Sequence, residues 1–462
     1  MITQALKSNR LLVLLAFLSL VLYYTFAYHL DRADFVKLIS LYGASFFLFL
    51  KLIKIGKGHF WLLAGMAVVF RLIFIPAIPN LSQDFYRFIW DGRLSIQGIN
   101  PYLTTVLQYL EAGQDTIVPQ AQELYAGMGD LNASHYTNYP PVNQLCFAIA
   151  GWLANSSILG AAIVFRVLII MADLGIIYFG KKLLERLSLP EYHIFIYALN
   201  PFIIIEMTGN LHFEPVMLFF MVWSLYLLHQ QKWIGAGIML AVSVSVKLIP
   251  LFFLPLFFQY FVFKKGDNWK NFGRSLKNIP KLVGFYLVVI LTIGLTFAPF
   301  LSESFINNFS ATIGLWFQNF EFNASVYYII RWIGFQTVGW NIIGTVGKIL
   351  PLITISVLLF ITFFRRNTTS QSLITAMLLT ISFYFLLSTT VHPWYVAMPL
   401  VLCVFTRYRF PLVWSATIIL SYNAYRTSEF TENLWLVAVE YLVVAGYFIW
   451  ELVRKRNIPI AA

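Results

Sequence analysis

The segment SQDFYRFIWDGRLSIQGINPY, residues 82–102, sets two carboxylates (Asp84, Asp91) and two arginines (Arg87, Arg93) among aromatics in an otherwise apolar chain. Read as a helix, offsets of three, four and seven residues place Asp84, Arg87 or Phe88, and Asp91 on one face. The apolar Phe85, Ile89 and Leu94 flank that face, and Gly98-Ile-Asn-Pro101 ends the helix. A carboxylate held near a hydroxyl in a water-poor setting has a raised pKa and takes the proton as the hydroxyl attacks, typically worth roughly 10² to 10⁴ in rate. The bland alternative is an interfacial helix in which Arg87 is simply paired with its neighbouring acids.

Other polar groups interrupt apolar stretches further along. His212 and Glu214 share the turn GNLHFEP with Asn210, which read alone is a capped helix end. Lys247 breaks IMLAVSVSVKLIPLFFLPLFF. A lysine there is costly unless it snorkels to an interface or meets an anion such as a phosphate. His392-Pro-Trp-Tyr395 forms one more turn, where Trp394 and Tyr395 also suit an interfacial aromatic belt. Arg93 and Tyr139, the latter in NYPP, belong to the same loop as Asp84. Each signal is weak alone, and their convergence on one face of a membrane carries the reading.

That face exists only if the chain is a membrane bundle. Of 462 residues, 59% are apolar and 11% charged, and apolar runs near the ~20 residues needed to cross a bilayer recur from Leu11 to Trp450. This composition defines an all-α polytopic membrane protein. Crossings are expected near 11–28, 35–53, 59–79, 158–180, 192–208, 213–230, 233–247, 249–263, 282–299, 342–364, 372–390, 394–407, 410–424 and 433–453, a bundle of about 13 to 14 helices. Segment 142–157 is expected to lie along the outer interface or dip in and return. The first apolar run lacks a small-residue cleavage site and reads as a retained helix.

The net charge of +12 raises the question of nucleic acid, but the basic residues cluster between helices and at the termini: Lys7/Arg10, Lys51/Lys54/Lys57, Lys181/Lys182/Arg186, Lys232, Lys264 to Lys281, Arg365/Arg366, Arg407/Arg409 and Arg454/Lys455/Arg456. They are a topology signal that places those connections and both termini in the cytoplasm, and no nucleic-acid partner is expected. The loop 80–141, with no Lys and two Arg against Asp84, Asp91, Glu111, Asp115, Glu123 and Asp130, is then the first large outer loop, and 300–341 the second. The chain reads as one membrane domain, 1–462, with outer-face interfacial helices. Cys146 and Cys403 lie apart in apolar segments and suggest neither a disulfide nor a metal site. Arg71, Arg166, Asp173 and Glu206, the main ionisable groups within expected spans, are too scattered to form an ion pathway.

In order, QDFYRFIWDGRL, GINPY, NYPP, NPFIIIEMTGNLHFEP, SVKLIPLFFLP, FNASVYY and HPWY resemble the polyprenol-phosphate-mannose-dependent mannosyltransferases of the GT-C superfamily. The resemblance implies a GT-C-like bundle using a polyprenyl-phosphate sugar, mannose, as donor and a lipid-linked or envelope glycan as acceptor at the outer face. Asp84 matches the family's catalytic acid. It would act as general base in an inverting single displacement, with the lipid phosphate as leaving group. Arg93, Lys247 and His392 are the candidates for that phosphate. Arg87, Asp91, Tyr139, His212, Glu214, Trp394 and Tyr395 are candidates for binding substrate, with Asp91 also read as the structural partner of Arg87 or Arg93. Glu214 stands where related sequences often carry Asp, which leaves the acceptor open. No metal or other cofactor is expected. The absence of eukaryotic sorting signals fits a bacterial inner membrane with the active site facing outward. A transporter or flippase of a lipid-linked glycan is the competing function, disfavoured by the lack of paired halves and discontinuous midplane helices in the sequence; a non-catalytic partner of an envelope complex is the third.

Overall fold

The computed structural model describes residues 2–264, 269, 272–318, 320–427 and 429–456. Lys265, Lys270, Asn319, Ser428 and the chain beyond Arg456 lie outside the described residues, as do the side chains of Lys7, Lys455 and Arg456. Helices account for 77% of the structure, with no strand among the described residues, as expected of a polytopic all-α membrane protein.

Among the described residues, seven helices are long and apolar enough to span a bilayer: Arg10–His29, Phe35–Gly56, Ile158–Arg186, Phe272–Phe300, Ile343–Phe364, Ser370–Leu387 and Leu434–Arg454. An eighth span would be the pair Ile203–Gly209 and Glu214–His229, bent by 113° at its break. By length this is fewer than the sequence suggests, and proline is a main reason. Pro201 lies between the short helix Phe195–Ala198 and the π-helix Ile203–Gly209. Pro250 and Pro255 hold Ile249–Leu256 in a 3₁₀ conformation before the helix Phe257–Val262. Pro393 opens the 3₁₀ turn Pro393–Val396 ahead of the helix Ala397–Val404. Proline lacks the amide proton and clashes with the preceding turn, so apolar runs that look continuous fold as several short helices. The expected 142–157 element is the helix Pro141–Ala154, whose 14 residues reach about 21 Å, short of a hydrocarbon core of ~30 Å.

The polar segment 80–141 is built from Asp84–Ile96, Val106–Glu111 and Ala121–Ala133. Asp84–Ile96 lies directly on Pro141–Ala154. A Cβ on Gly92 would stand 2.2 Å from the Phe147 carbonyl oxygen, and one on Gly151 would stand 2.8 Å from the Gly92 oxygen. Only glycine permits that backbone contact. The GINPY turn reaches the second polar segment: Tyr102 packs on Phe300, Phe305 and Phe309, and the Asn308 side chain donates to the Tyr102 carbonyl at 3.0 Å.

Buried arginines fix the interior. Arg71 pairs with Asp173 at 2.7 Å, and Tyr197 donates to the same carboxylate at 2.9 Å. Arg166 donates to the carbonyls of Ile75, Thr208 and Gly209 at 2.9–3.0 Å. It thereby ties the strand of chain leading to Asp84 to the turn leading to His212 and Glu214.

Candidate active site

Asp84 is the first residue of its helix, where the backbone amides and helix dipole favour a carboxylate. Burial nevertheless dominates and raises its pKa from 3.8 to about 6, opposed by the charges of Lys247 and Arg32 and reinforced by Glu214. Those four groups come from separate segments of the chain. Glu214 opens the helix Glu214–His229, and Lys247 ends the helix Trp233–Val246 in an extended conformation that turns its side chain back. The two form an ion pair, with Glu214 2% and Lys247 16% exposed. The adjacent Ser243 hydroxyl donates to the Met217 carbonyl at 2.7 Å and locks the two helices together.

The chain before Glu214 is a π-helix, Ile203–Gly209, a wide-turned form enriched at functional sites. Its last amide-to-carbonyl bond runs from Asn210 to Ile205, and the Asn210 side chain accepts from the Leu81 amide at 3.1 Å. Inside this turn Glu206 accepts from the Tyr422 hydroxyl at 2.9 Å and lies 3.8 Å from His212 Nε2.

His212 stacks on Trp394 at 3.9 Å, Trp394 on His392 at 4.5 Å, and His392 leans on Phe322 at 5.4 Å. The last contact is fixed by the backbone: the Phe322 amide donates to Thr389 and the Val391 amide to Phe322, at 3.1 and 2.8 Å. Asn323, in a left-handed conformation, anchors this strap through its amide to Glu432 and its side chain to Glu440. Burial and the Lys247 charge push His392 down to about 3; His212 is also held well below its usual value, by burial first and then by Lys247 and His392. Both imidazoles are neutral at physiological pH.

The structure thus brings Asp84, His212, Glu214, Lys247, His392 and Trp394 to one end of the bundle. Tyr395 packs edge-on to His392 at 5.5 Å. Tyr139 packs on Phe88 and Phe147, and burial, then the Asp84 charge, hold its hydroxyl far above its usual pKa. Three of the expected residues have other partners. Asp91 is fully buried, paired with Arg87 at 2.8 Å and taking a hydrogen bond from Gln144 at 3.0 Å. Arg87 also donates to the carbonyls of Asn132 and His135. Arg93 turns to the Pro119 carbonyl and Gln120.

Sequence reasoning passed over two participants. Arg32, in the link between the first two helices, lies 3.3 Å over the Tyr425 ring and acts on Asp84 and Glu206. A sequence signal exists: the positive-inside rule expects few cations in a link assigned to the outer face, and Arg32 stands in one. Glu206 reads in the sequence as one of a few scattered acids, because nothing there announces a π-helix or a break. That break is itself a discontinuous helix, which the sequence did not reveal.

A multi-helix membrane protein with a buried carboxylate, two cations and stacked aromatics at one end of its bundle is the setting for the comparisons with known proteins. Residues 36–262 match the family model described as alpha-(1->6)-mannopyranosyltransferase, N-terminal domain. The chain is also 24% identical over 197 residues to alpha-(1->6)-mannopyranosyltransferase A of Corynebacterium glutamicum. That alignment covers 41% of this chain and 36% of the relative, so the match spans about a third of the relative's length. Both likenesses are to mannosyltransferases, the class that the ordered motifs resemble.

Proposed function

We propose that this integral membrane protein is a glycosyltransferase of GT-C type that moves a mannosyl group from a polyprenyl-phosphate donor to a hydroxyl of a lipid-linked or envelope glycan. The acceptor oxygen attacks the anomeric carbon, its proton passes to Asp84, and the bond from that carbon to the phosphate oxygen breaks with its electron pair leaving on the lipid phosphate. One displacement inverts the anomeric centre. The observation that carries the reading is the carboxyl of Asp84, lifted toward neutrality by burial yet facing the cations Lys247 and Arg32, a base poised beside a place for an anion. The family match and the Corynebacterium relative supply the sugar.

Lys247 and Arg32 would balance the charge arriving on the phosphate. The neutral rings of His212 and His392 hold the Trp394 face in place and offer nitrogen atoms to sugar hydroxyls. Phosphate departs readily without a general acid, and the reaction is read as metal-independent. This end of the bundle is read as the outer side of a bacterial inner membrane, with both termini cytoplasmic, a reading the basic clusters between helices support. Purified protein supplied with radiolabelled polyprenyl-phosphate-mannose and a crude glycolipid extract should transfer mannose, with EDTA present or absent. Asp84→Asn should not. Mannose transfer undiminished in Asp84→Asn would remove the base from this mechanism, while translocation of a lipid-linked glycan without transfer would move the assignment to a flippase.

A further inference from the structure

Arg32 has no role in the residue pattern of the family match, which begins at residue 36. Its surroundings nevertheless differ from those of every cation expected to meet the donor. Lys247 is committed to Glu214. Arg93 is committed to Pro119 and Gln120. His392 is neutral. Arg32 forms no ion pair with a carboxylate among the described residues, and its Nε, like that of Arg93, is buried without a hydrogen-bond partner. Its guanidinium carbon lies 3.3 Å over the Tyr425 ring, and Tyr425, with which it also shares a side-chain hydrogen bond, is a neutral partner that leaves the charge uncompensated.

The turn that bears Arg32 is rigid. Asp34 caps the helix Phe35–Gly56 through the Lys37 amide, Asp31 accepts from the Ala33 amide, and the Lys37 ammonium donates to the His29 carbonyl. It is also tied to the catalytic loop: the Asn80 side chain donates to the carbonyls of Phe26 and Leu30 at 2.8 and 3.1 Å, four residues before Asp84. The Arg32 charge acts on Asp84 from this fixed position.

We propose that Arg32, held on the Tyr425 face, is the principal grip on the phosphate of the lipid-linked donor and on the charge it gains when it leaves. This rests on the transferase reading above. Three carboxylates, Asp84, Glu206 and Glu214, crowd the same end of the bundle, so an arriving phosphate needs a cation not already neutralised by one of them. A guanidinium presents paired N–H groups to phosphate oxygens, which a lysine engaged by Glu214 does not.

The test uses the full chain in nanodiscs, as wild type, Arg32→Met and Arg32→Lys, with unfolding midpoints confirming that each is folded. Binding of citronellyl phosphate, citronellol and inorganic phosphate is measured by calorimetry, and mannose transfer is followed over a range of donor concentrations. Expected are a loss of about tenfold or more in citronellyl phosphate affinity in Arg32→Met, partial recovery in Arg32→Lys, unchanged weak citronellol binding and a raised donor KM. Inorganic phosphate binding as tightly as the lipid phosphate would identify a free-anion site and overturn the donor assignment. Equal citronellyl phosphate affinity in wild type and Arg32→Met, or no binding by wild type, would overturn the proposal even where transfer depends on Asp84. Arg32-dependent binding without any transfer by wild type would uphold the phosphate grip while the transferase reading fell.

Discussion

Replacing Asp84 with Asn separates the cost of the base from its use. A carboxyl whose pKa rises from 3.8 to about 6 on folding binds its proton more tightly in the folded state. The fold therefore loses stability as pH rises across that window and bears the full penalty above pH 6. About two units at ~1.4 kcal/mol each set an upper limit near 3 kcal/mol, and the partial opening of Asp84 to solvent trims this to about 1–3 kcal/mol. Asp84→Asn should then raise the unfolding midpoint at pH 7.5, by less at pH 4, while transfer falls by roughly 10² or more. In the wild type, kcat/KM should climb through an acid limb near pH 6 and stand about tenfold lower at pH 5 than on the plateau. Thermal scans of wild type and variant at the two pH values, alongside the pH–rate profile, check both halves. A variant less stable at pH 7.5, or an acid limb at an ordinary carboxyl value near 4, would refute the burial argument.

Lys247→Ala removes a cation that lowers the Asp84 pKa, so the acid limb should move to higher pH and the donor KM should rise; a limb that stays in place on the pH–rate profile would count against this coupling. The same change strands Glu214 in a dry site at a cost of about 3–5 kcal/mol, and the double change Lys247→Met, Glu214→Gln should recover thermal stability without recovering donor use. Gly92→Ala should force the helices Asp84–Ile96 and Pro141–Ala154 apart, because its Cβ would meet a carbonyl oxygen at 2.2 Å; a loss of at least 1–3 kcal/mol in unfolding assays is expected, against none for Gly65→Ala in open space. Asn323→Ala should free the strap behind His392 and lower stability by about 1–3 kcal/mol in unfolding assays, because it strips a donor from the buried Glu440 and sets an alanine in a left-handed conformation; an unchanged unfolding midpoint would count against the anchoring role.

The site was legible where a polar residue interrupts an apolar run. Lys247, His212, Glu214 and His392 announce themselves because a charged or polar group within hydrocarbon-length sequence needs a reason; the structure sets Lys247 and Glu214 near enough to act on Asp84, and the two histidines near enough to feel Lys247. Placement on one end of the bundle does not fix a partner, however. Arg93 shares the Asp84 helix but points to the 119–120 turn, a choice set by tertiary packing that helix periodicity does not encode. Fewer single helices reach bilayer length than there are expected crossings, because hydropathy counts residues and ignores backbone hydrogen bonding. Ile249–Val262 is apolar but for Gln259 and the Tyr260 hydroxyl, yet Pro250 and Pro255 remove the amides a continuous helix requires. The π-helix at Ile203–Gly209 is invisible for a related reason: the carbonyls at its end, those of Thr208 and Gly209, accept from Arg166, which is distant in sequence.

The arginines show how the chain keeps ionised groups in a dry interior and why Arg32 differs. Arg71, Arg87, Arg93 and Arg166 are almost completely buried, and every one donates to backbone carbonyls of distant segments: Arg71 to Ala198, Arg87 to Asn132 and His135, Arg93 to Pro119, Arg166 to Ile75, Thr208 and Gly209. A guanidinium has five donors and no acceptor, so in a place without water it converts otherwise unsatisfied carbonyls at turns into anchors. These four are fasteners, and their charge is spread over peptide dipoles or a paired aspartate. Arg32 fastens nothing of the kind. Other bonds fix its turn, Tyr425 supports its face, and its charge is directed at a cluster of acids with which it makes no ion pair among the described residues. Even those four keep loose ends, since Arg71 Nη2 and Arg93 Nε are buried without a hydrogen-bond partner, so what sets Arg32 apart is the want, among the described residues, of any backbone carbonyl or carboxylate holding its charge, which is the ground for proposing it as the grip on an anion.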